Sequence, residues 1–156
     1  MDTTTYHLAQ FNIIKLKDKL DSPMIKEFKS FLAPVNLLAE ESPGFIWRLK
    51  DTDGQSATNI ETPYKDDLIF INLSVWDNLQ NLESYIYHTV HSYFLKNRNK
   101  WGVNMKENQS VLWWIPKGEK PTAFQGKERL DLLNKIGPSA NAFSFREKYD
   151  HKGFKE

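Results

Sequence analysis

Cysteine is absent from this 156-residue chain, which excludes disulfides, thiolate metal sites and thiol nucleophiles together. An excess of one charge is also missing, since 21 Lys and Arg stand against 20 Asp and Glu. Because no strong field favours phosphates or an anionic surface, we expect neither nucleic acid nor a membrane as a partner. No apolar run approaches about 18 residues, and no basic region precedes an apolar one at the N-terminus. We therefore expect a cytoplasmic protein that is not exported.

Alternation and capping signals predict the secondary structure. Alternating side chains predict strands at Tyr6–Ile14, Phe45–Leu49, Leu68–Trp76 and Ser110–Ile115, with a further edge strand at Ala142–Phe145. Helices are expected after the capping residues Ser22, Asp77 and Thr122. Pro34 should bend or interrupt the first of them. The order β-α-β-β-α-β predicts a ferredoxin-like α+β fold, here with an added C-terminal helix.

A single domain accounts for residues 1–156, with a core at about 6–146 and a charged, loose tail at 147–156. In a ferredoxin-like fold both helices lie on one face of the sheet, which leaves the other face open. Both faces of Leu68–Trp76 are too apolar for prolonged contact with water. A second copy could cover the open face, so we expect a homodimer with twofold symmetry.

The strand Leu68–Trp76 carries the strongest functional signal. Its residues alternate between two faces, of which one is wholly aliphatic. The other face mixes large apolar groups with hydrogen-bonding ones: Phe70, Asn72, Ser74 and Trp76. Such a mixture is typical of a small-molecule pocket. Asn72 would donate to a ligand or satisfy the sheet or a dimer contact, and Trp76 would form a ring wall or a core plug.

The helix after this strand places a second set of candidates along one edge: Tyr87, His91, Phe94 and Arg98. For His91, an ordinary pKa near 6.5 suits a general base, a proton shuttle or a metal or haem ligand. The alternative is a partly buried imidazole bonded to Tyr87 or to a carbonyl. Arg98 binds an anionic group or is a solvated cation favoured by a helix C-terminus. No third ligand accompanies His88 and His91, so we expect no metal site.

Four motifs together resemble an uncharacterised bacterial family, domain of unknown function 3291. They are Ser42–Leu49, Asn72–Trp76, Tyr87–Arg98 and Leu112–Pro116. The resemblance covers roughly residues 6–146 and implies the dimeric α+β barrel superfamily, but it supplies no activity.

More distantly, the chain is similar to the antibiotic biosynthesis monooxygenases. In their cofactor-free members an Asn, a following Trp and a later Arg contact the substrate, and Asn72, Trp76 and Arg98 fit that spacing. Haem proteins of the same superfamily, such as chlorite dismutases, carry a proximal His on a helix. That similarity keeps haem open as a minor possibility for His91.

The leading hypothesis is a small-molecule-binding protein that acts as a cofactor-independent monooxygenase on a planar phenolic or polyketide-like compound. Asn72 and Arg98 would hold the developing anion, and His91 would move the proton. The predicted substrate-binding residues are Trp76, Tyr87, Phe94 and Trp113. One alternative is a non-catalytic ligand-binding or stress-response module, and another is a haem-dependent enzyme. The first two hypotheses need no cofactor.

Overall fold

The four strands and the helices between them follow the order that the sequence predicts. The computed structural model describes residues 5–19, 21–50, 62–88 and 96–156, the last range without the side chains of residues 96–98. The elements are β1 (Tyr6–Lys15), α1 (Pro23–Glu41), β2 (Phe45–Arg48), β3 (Ile69–Trp76), α2 (Leu79–Tyr85), α3 (Lys96–Trp101), β4 (Ser110–Pro116) and α4 (Ala123–Ile136). The strands form one antiparallel sheet in the order β2-β3-β1-β4. This is the ferredoxin-like α+β arrangement, with α4 added after β4.

Capping side chains fix where two of the helices begin. At the start of α1, the hydroxyl of Ser22 accepts a hydrogen bond from the backbone N–H of Ile25 at 3.3 Å. At the start of α4, Thr122 and Gln125 form a reciprocal capping box. Both caps confirm the sequence prediction. Within the described ranges, no helix is long and apolar enough to span a membrane.

The second helix begins one residue later than predicted. Its cap is Asn78, whose side chain accepts from the backbone N–H of Asn81 at 2.8 Å. Asp77, the predicted cap, instead accepts from the side-chain amide of Asn81 at 2.9 Å. Helix α1 continues through Pro34 to Glu41, so this proline does not interrupt it, and the bend expected there stays a prediction.

The sheet separates two packed layers. On one face α4 covers a buried aliphatic and aromatic surface made of Ala9, Phe11, Ile13, Ile71, Leu73, Val75, Val111, Trp113 and Ile115. On the opposite face α1 and α2 pack against Leu8, Trp76 and Leu112. At the far end of that face, Trp101 of α3 packs with α1 against Ile14.

The aliphatic face is covered within a single chain. Besides α4, Tyr64 and Met105 pack against it, and Ile71, Leu73 and Val75 are each at most 3% exposed. The expectation that this face is open is therefore wrong, because the added helix α4 occupies it. A second copy is not needed to bury this surface. The homodimer stays a prediction without that support.

The C-terminal residues are held against the edge of β4. Phe143 exchanges two backbone hydrogen bonds with Leu112, of 2.8 and 2.9 Å, so the predicted edge strand is reduced to a single bridge. The indole N–H of Trp114 donates to the carbonyl of Tyr149 at 2.8 Å. Phe145 reaches the layer between sheet and helices. The C-terminal tail, which was expected to be loose, is thus hydrogen-bonded to β4 near its start, at Tyr149.

Gly126 marks a close approach of α4 to the sheet, because a Cβ atom added there would overlap the ring of Phe11. Gly126→Ala is expected to lower the free energy of unfolding by about 1–3 kcal/mol through overpacking. The loss should appear in urea unfolding although alanine is the better helix former by about 1 kcal/mol. Glu128→Ala, at an exposed position of the same helix, is the control and should change little. An unchanged or raised unfolding free energy in Gly126→Ala would contradict this packing.

Candidate functional site

A cavity of about 270 Å³ lies between the helices α1 and α2 and the sheet. Its volume is near the lower end of the roughly 300–1,000 Å³ found for small-molecule sites. The helical wall is mostly aliphatic and is formed by Leu32, Val35, Asn36, Ala39, Leu82, Tyr85 and Ile86. Phe145 from the C-terminal segment closes part of the perimeter. The chain therefore leaves a mainly apolar space above one face of its sheet.

Polar side chains form a band across the floor of this cavity. The polar band consists of Gln10, Asn12, Arg48, Asn72, Ser74 and Ser110. By strand register these residues occupy two adjacent rows, Asn72–Asn12–Ser110 and Arg48–Ser74–Gln10. Side chains directly opposite on antiparallel strands lie close enough to act on the same ligand. The strand pairing therefore converts scattered polar residues into one surface.

Apolar rows lie on both sides of the polar band. Trp76 is opposite Leu8 on one side, and Phe70 is opposite Ile14 on the other. Trp76 also stacks on Tyr85 of α2, with ring centroids 5.0 Å apart and ring planes at 25°. A molecule over the polar band would therefore meet aromatic or aliphatic surface at either end.

Each ring of this stack carries one polar hydrogen, and both hydrogens are donated in hydrogen bonds. The indole N–H of Trp76 donates to the hydroxyl of Ser74 at 2.9 Å, and the Tyr85 hydroxyl donates to the carbonyl of Val35 at 3.1 Å. Burial raises the pKa of Tyr85 well above its ordinary value, against a smaller opposing effect of the Arg48 charge. Tyr85 is therefore a neutral phenol at physiological pH.

Arg48 is the one charged residue among the described residues that line the cavity. The residue is 8% exposed, and its Nε donates to Oε1 of Glu40 at 2.7 Å. This hydrogen bond holds the pKa of the Glu40 carboxyl below its usual value, and Lys50 lies 3.6 Å from the same oxygen. The guanidinium is therefore compensated by a carboxylate that stands outside the cavity lining.

A bulge in β2 turns Arg48 toward the cavity. Phe45 is opposite Trp76 and Arg48 is opposite Ser74, with a shift of register between Phe45 and Trp47. Strict alternation would put Phe45 and Arg48 on different faces, but the extra residue of a bulge places both on the cavity side. Trp47 then packs on the α4 side. Alternation alone could not have identified Arg48.

Two of the predicted site residues lie in the cavity, and two do not. Asn72 and Trp76 both line it. Trp113 does not line it, because its side chain lies on the opposite sheet face, 2% exposed, with Arg129 above its ring at 5.9 Å. Tyr87 follows α2, is 62% exposed and is not part of the lining.

The remaining predicted residues lie outside the part of the chain that the structure describes. These are His91, Phe94 and the side chain of Arg98, although the backbone of Arg98 belongs to α3. Their predicted roles as base or haem ligand, ring contact and anion-holding group stay predictions.

Gln10, Asn12 and Ser110 are site residues that the sequence did not reveal. A signal was present in β1, where Gln10 and Asn12 share a face with Leu8, just as Asn72 and Ser74 share one with Trp76. The missing step was the register that brings the strands together, which sequence patterns specify only weakly.

The fold and this cavity define an α+β protein with a pocket between its sheet and one helical layer. The chain belongs to the family described as Domain of unknown function (DUF3291), whose model matches residues 7–156. No curated protein matches the sequence.

One solved structure with partial similarity is the NE2512 protein of unknown function from Nitrosomonas europaea. It shows 12% sequence identity and a TM-score of 0.48, over 76% of this chain and 95% of that chain. Similarity at this level carries no argument about function.

Loss of the carboxylate of Glu40 should destabilise the protein in a pH-dependent way. Because the folded-state pKa lies below the usual 4.5, the stabilisation is present above that value and is lost as pH falls through the folded pKa. Glu40→Gln is expected to lower the free energy of unfolding by about 1–2 kcal/mol at pH 7, between the values for exposed and buried ion pairs.

Urea unfolding from pH 7 to pH 3 measures this effect. The difference between Glu40→Gln and the wild type should shrink as pH falls from the usual carboxyl pKa of 4.5 through the lower folded-state pKa. Glu41→Gln, on an exposed neighbour in the same helix, is the matched control. A difference that is constant over this pH range would show that the Glu40 charge is not the cause.

Proposed function

We propose that this protein binds a small, planar, mostly apolar molecule in the cavity above the polar band. The observation that carries the proposal is the polar band itself, which faces a space of about 270 Å³ and is flanked by apolar rows. A few placed polar groups within an apolar lining are the usual composition of a ligand site.

Packing alone does not explain this part of the molecule. Protein interiors contain few voids larger than a water molecule, and buried polar groups normally have partners. The side chain of Asn72 is half-buried in the cavity floor, and its amide makes no hydrogen bond to any residue that the structure describes, which leaves it for water or a ligand. The Nε2 of Gln109, another lining residue, is buried and likewise has no partner there. A bound molecule would fill the space and hydrogen-bond to the Asn72 amide.

The shape and character of the walls support a planar ligand. Trp76 and Tyr85 form a stacked pair at one end, and Phe70 and Phe145 also line the space. Aromatic rings favour offset-stacked or edge-on contacts with other rings. Burial of apolar surface contributes about 25 cal/mol per Å², so the walls would supply most of the affinity and the polar band the orientation.

A test of the binding function uses N-phenyl-1-naphthylamine, an uncharged dye whose fluorescence rises in apolar surroundings. The wild type is expected to bind it saturably, at one molecule per chain. Val35→Phe adds volume to the cavity wall and should weaken binding by about 10-fold or more, since a filled site excludes the ring. Circular dichroism would establish that the variant is folded.

The matched control is Leu37→Phe, which makes a comparable change on the same helix at a side chain that is 54% exposed. Its dye affinity should equal that of the wild type. Dye binding that is non-saturable, or equally strong in Val35→Phe, would contradict binding in this cavity.

A second candidate is cofactor-free oxygenation, supported by Asn72 and Trp76 lining one cavity. A base, for which His91 is proposed, would remove a proton from a phenol or a related acidic C–H. The substrate anion would reduce dioxygen. One oxygen atom enters a new carbonyl and the other leaves as water, so the substrate supplies all the electrons. Asn72 would hold the anion together with Arg98.

Oxygen uptake with anthrone or 1-naphthol tests this second candidate. One dioxygen should be consumed for each quinone formed, and Asn72→Ala should slow the reaction by about 10-fold or more, as expected for a lost oxyanion contact. If the protein binds these compounds without any uptake above the uncatalysed rate, oxygenation is wrong and binding alone remains.

A further inference from the structure

We propose that the ligand of this cavity is uncharged and carries a carboxamide-type group, with a carbonyl acceptor next to an N–H donor on an aromatic ring. The inference rests on the ligand-binding function proposed above and names the class of molecule that the same cavity would take. It follows from the charge of the lining and from the kind of polar groups in it.

The described lining offers no free charge to an ionic ligand. Its single ionised side chain, Arg48, is already hydrogen-bonded to Glu40 at 2.7 Å. An anion would compete with that carboxylate for the guanidinium and would also lose its hydration. A cation would find no carboxylate among the lining residues that the structure describes. Both kinds of ion are therefore disfavoured relative to a neutral molecule.

Carboxamides dominate the polar part of the lining. Among the described residues, five carboxamides line the cavity: Gln10, Asn12, Asn36, Asn72 and Gln109. Each carboxamide has an acceptor oxygen and two N–H donors, so such a surface presents both kinds of hydrogen-bonding group at once. A carboxylate ligand can only accept, and a hydrocarbon can do neither. An amide ligand matches the lining in both respects.

The pairing of these side chains leaves donors and acceptors for a ligand. Gln10 donates through Nε2 to Oδ1 of Asn12 at 2.7 Å, which leaves the Asn12 nitrogen and the Gln10 oxygen for other partners. Asn72 is directly opposite Asn12, yet their amides are not hydrogen-bonded to each other.

Three probes with the same bicyclic ring system separate the effects of an amide, a carboxylate and an apolar group on binding: 2-naphthamide, 2-naphthoate and 2-ethylnaphthalene. Each is titrated against the wild type with bound N-phenyl-1-naphthylamine, and displacement of the dye gives the dissociation constant. The amide is expected to bind at least about 10-fold more tightly than either of the others, as two additional hydrogen bonds would give.

A variant assigns this preference to the polar band. Asn72→Leu keeps the size of the side chain and removes its hydrogen-bonding groups. This variant should weaken the binding of 2-naphthamide by about 10-fold and keep the dissociation constant of 2-ethylnaphthalene within about 2-fold of the wild-type value. Asn141→Leu, at an exposed position, should change neither. Since 2-ethylnaphthalene still reports an intact cavity, a variant that failed to fold would be recognised.

The outcomes distinguish the inference from the binding function on which it rests. If none of the probes binds, and the dye does not bind saturably, the proposed function itself is wrong. If all three bind equally, or if 2-naphthoate binds best, the cavity is a binding site but not one for an uncharged amide. Equal weakening of all probes by Asn72→Leu would also overturn the role given to that amide.

Discussion

The antiparallel pairing of β1 with β3 is the constraint on which the cavity depends. It sets Asn12 opposite Asn72 and Gln10 opposite Ser74, so that their side chains rise from one face as a continuous surface. Because strand side chains alternate with a period of two, a slip of one residue would turn both polar groups of one strand into the opposite layer. The aliphatic residues on the other face, sealed by α4, make such a slip costly and so fix the register.

The two faces of the sheet differ in how tightly they are packed. Beneath α4, close contact between Gly126 and Phe11 and a fully buried aliphatic surface provide a rigid platform. Above the sheet, packing is incomplete, and amides stand where aliphatic side chains would stabilise the fold more. A chain that places polar groups in this way gives up stability, which is typical of a site that serves a ligand. The compensated charge of Arg48 and the neutral phenol of Tyr85 keep that site free of net charge in the part described.

Much of the fold was predictable because its signals are local. The caps at Ser22 and Thr122, and the two unlike faces of β3, can be read directly from neighbouring residues. Features that depend on distant contacts were not predictable. The bulge that turns Arg48 inward, and the docking of α4 on the face expected to be open, arise from tertiary packing. The same limit explains why Asn72 and Trp76 were identified while Gln10 and Asn12 were not.

If the proposed function is right, the amides of the polar band contact one ligand in one cavity. The most direct measurement is a ¹⁵N–¹H correlation spectrum of the side-chain NH₂ groups while 2-naphthamide is added. We expect the signals of Asn12 and Asn72 to shift together and saturate at one equivalent, while that of the exposed Asn141 stays in place. Saturable binding that leaves the signals of Asn12 and Asn72 unmoved would contradict this expectation.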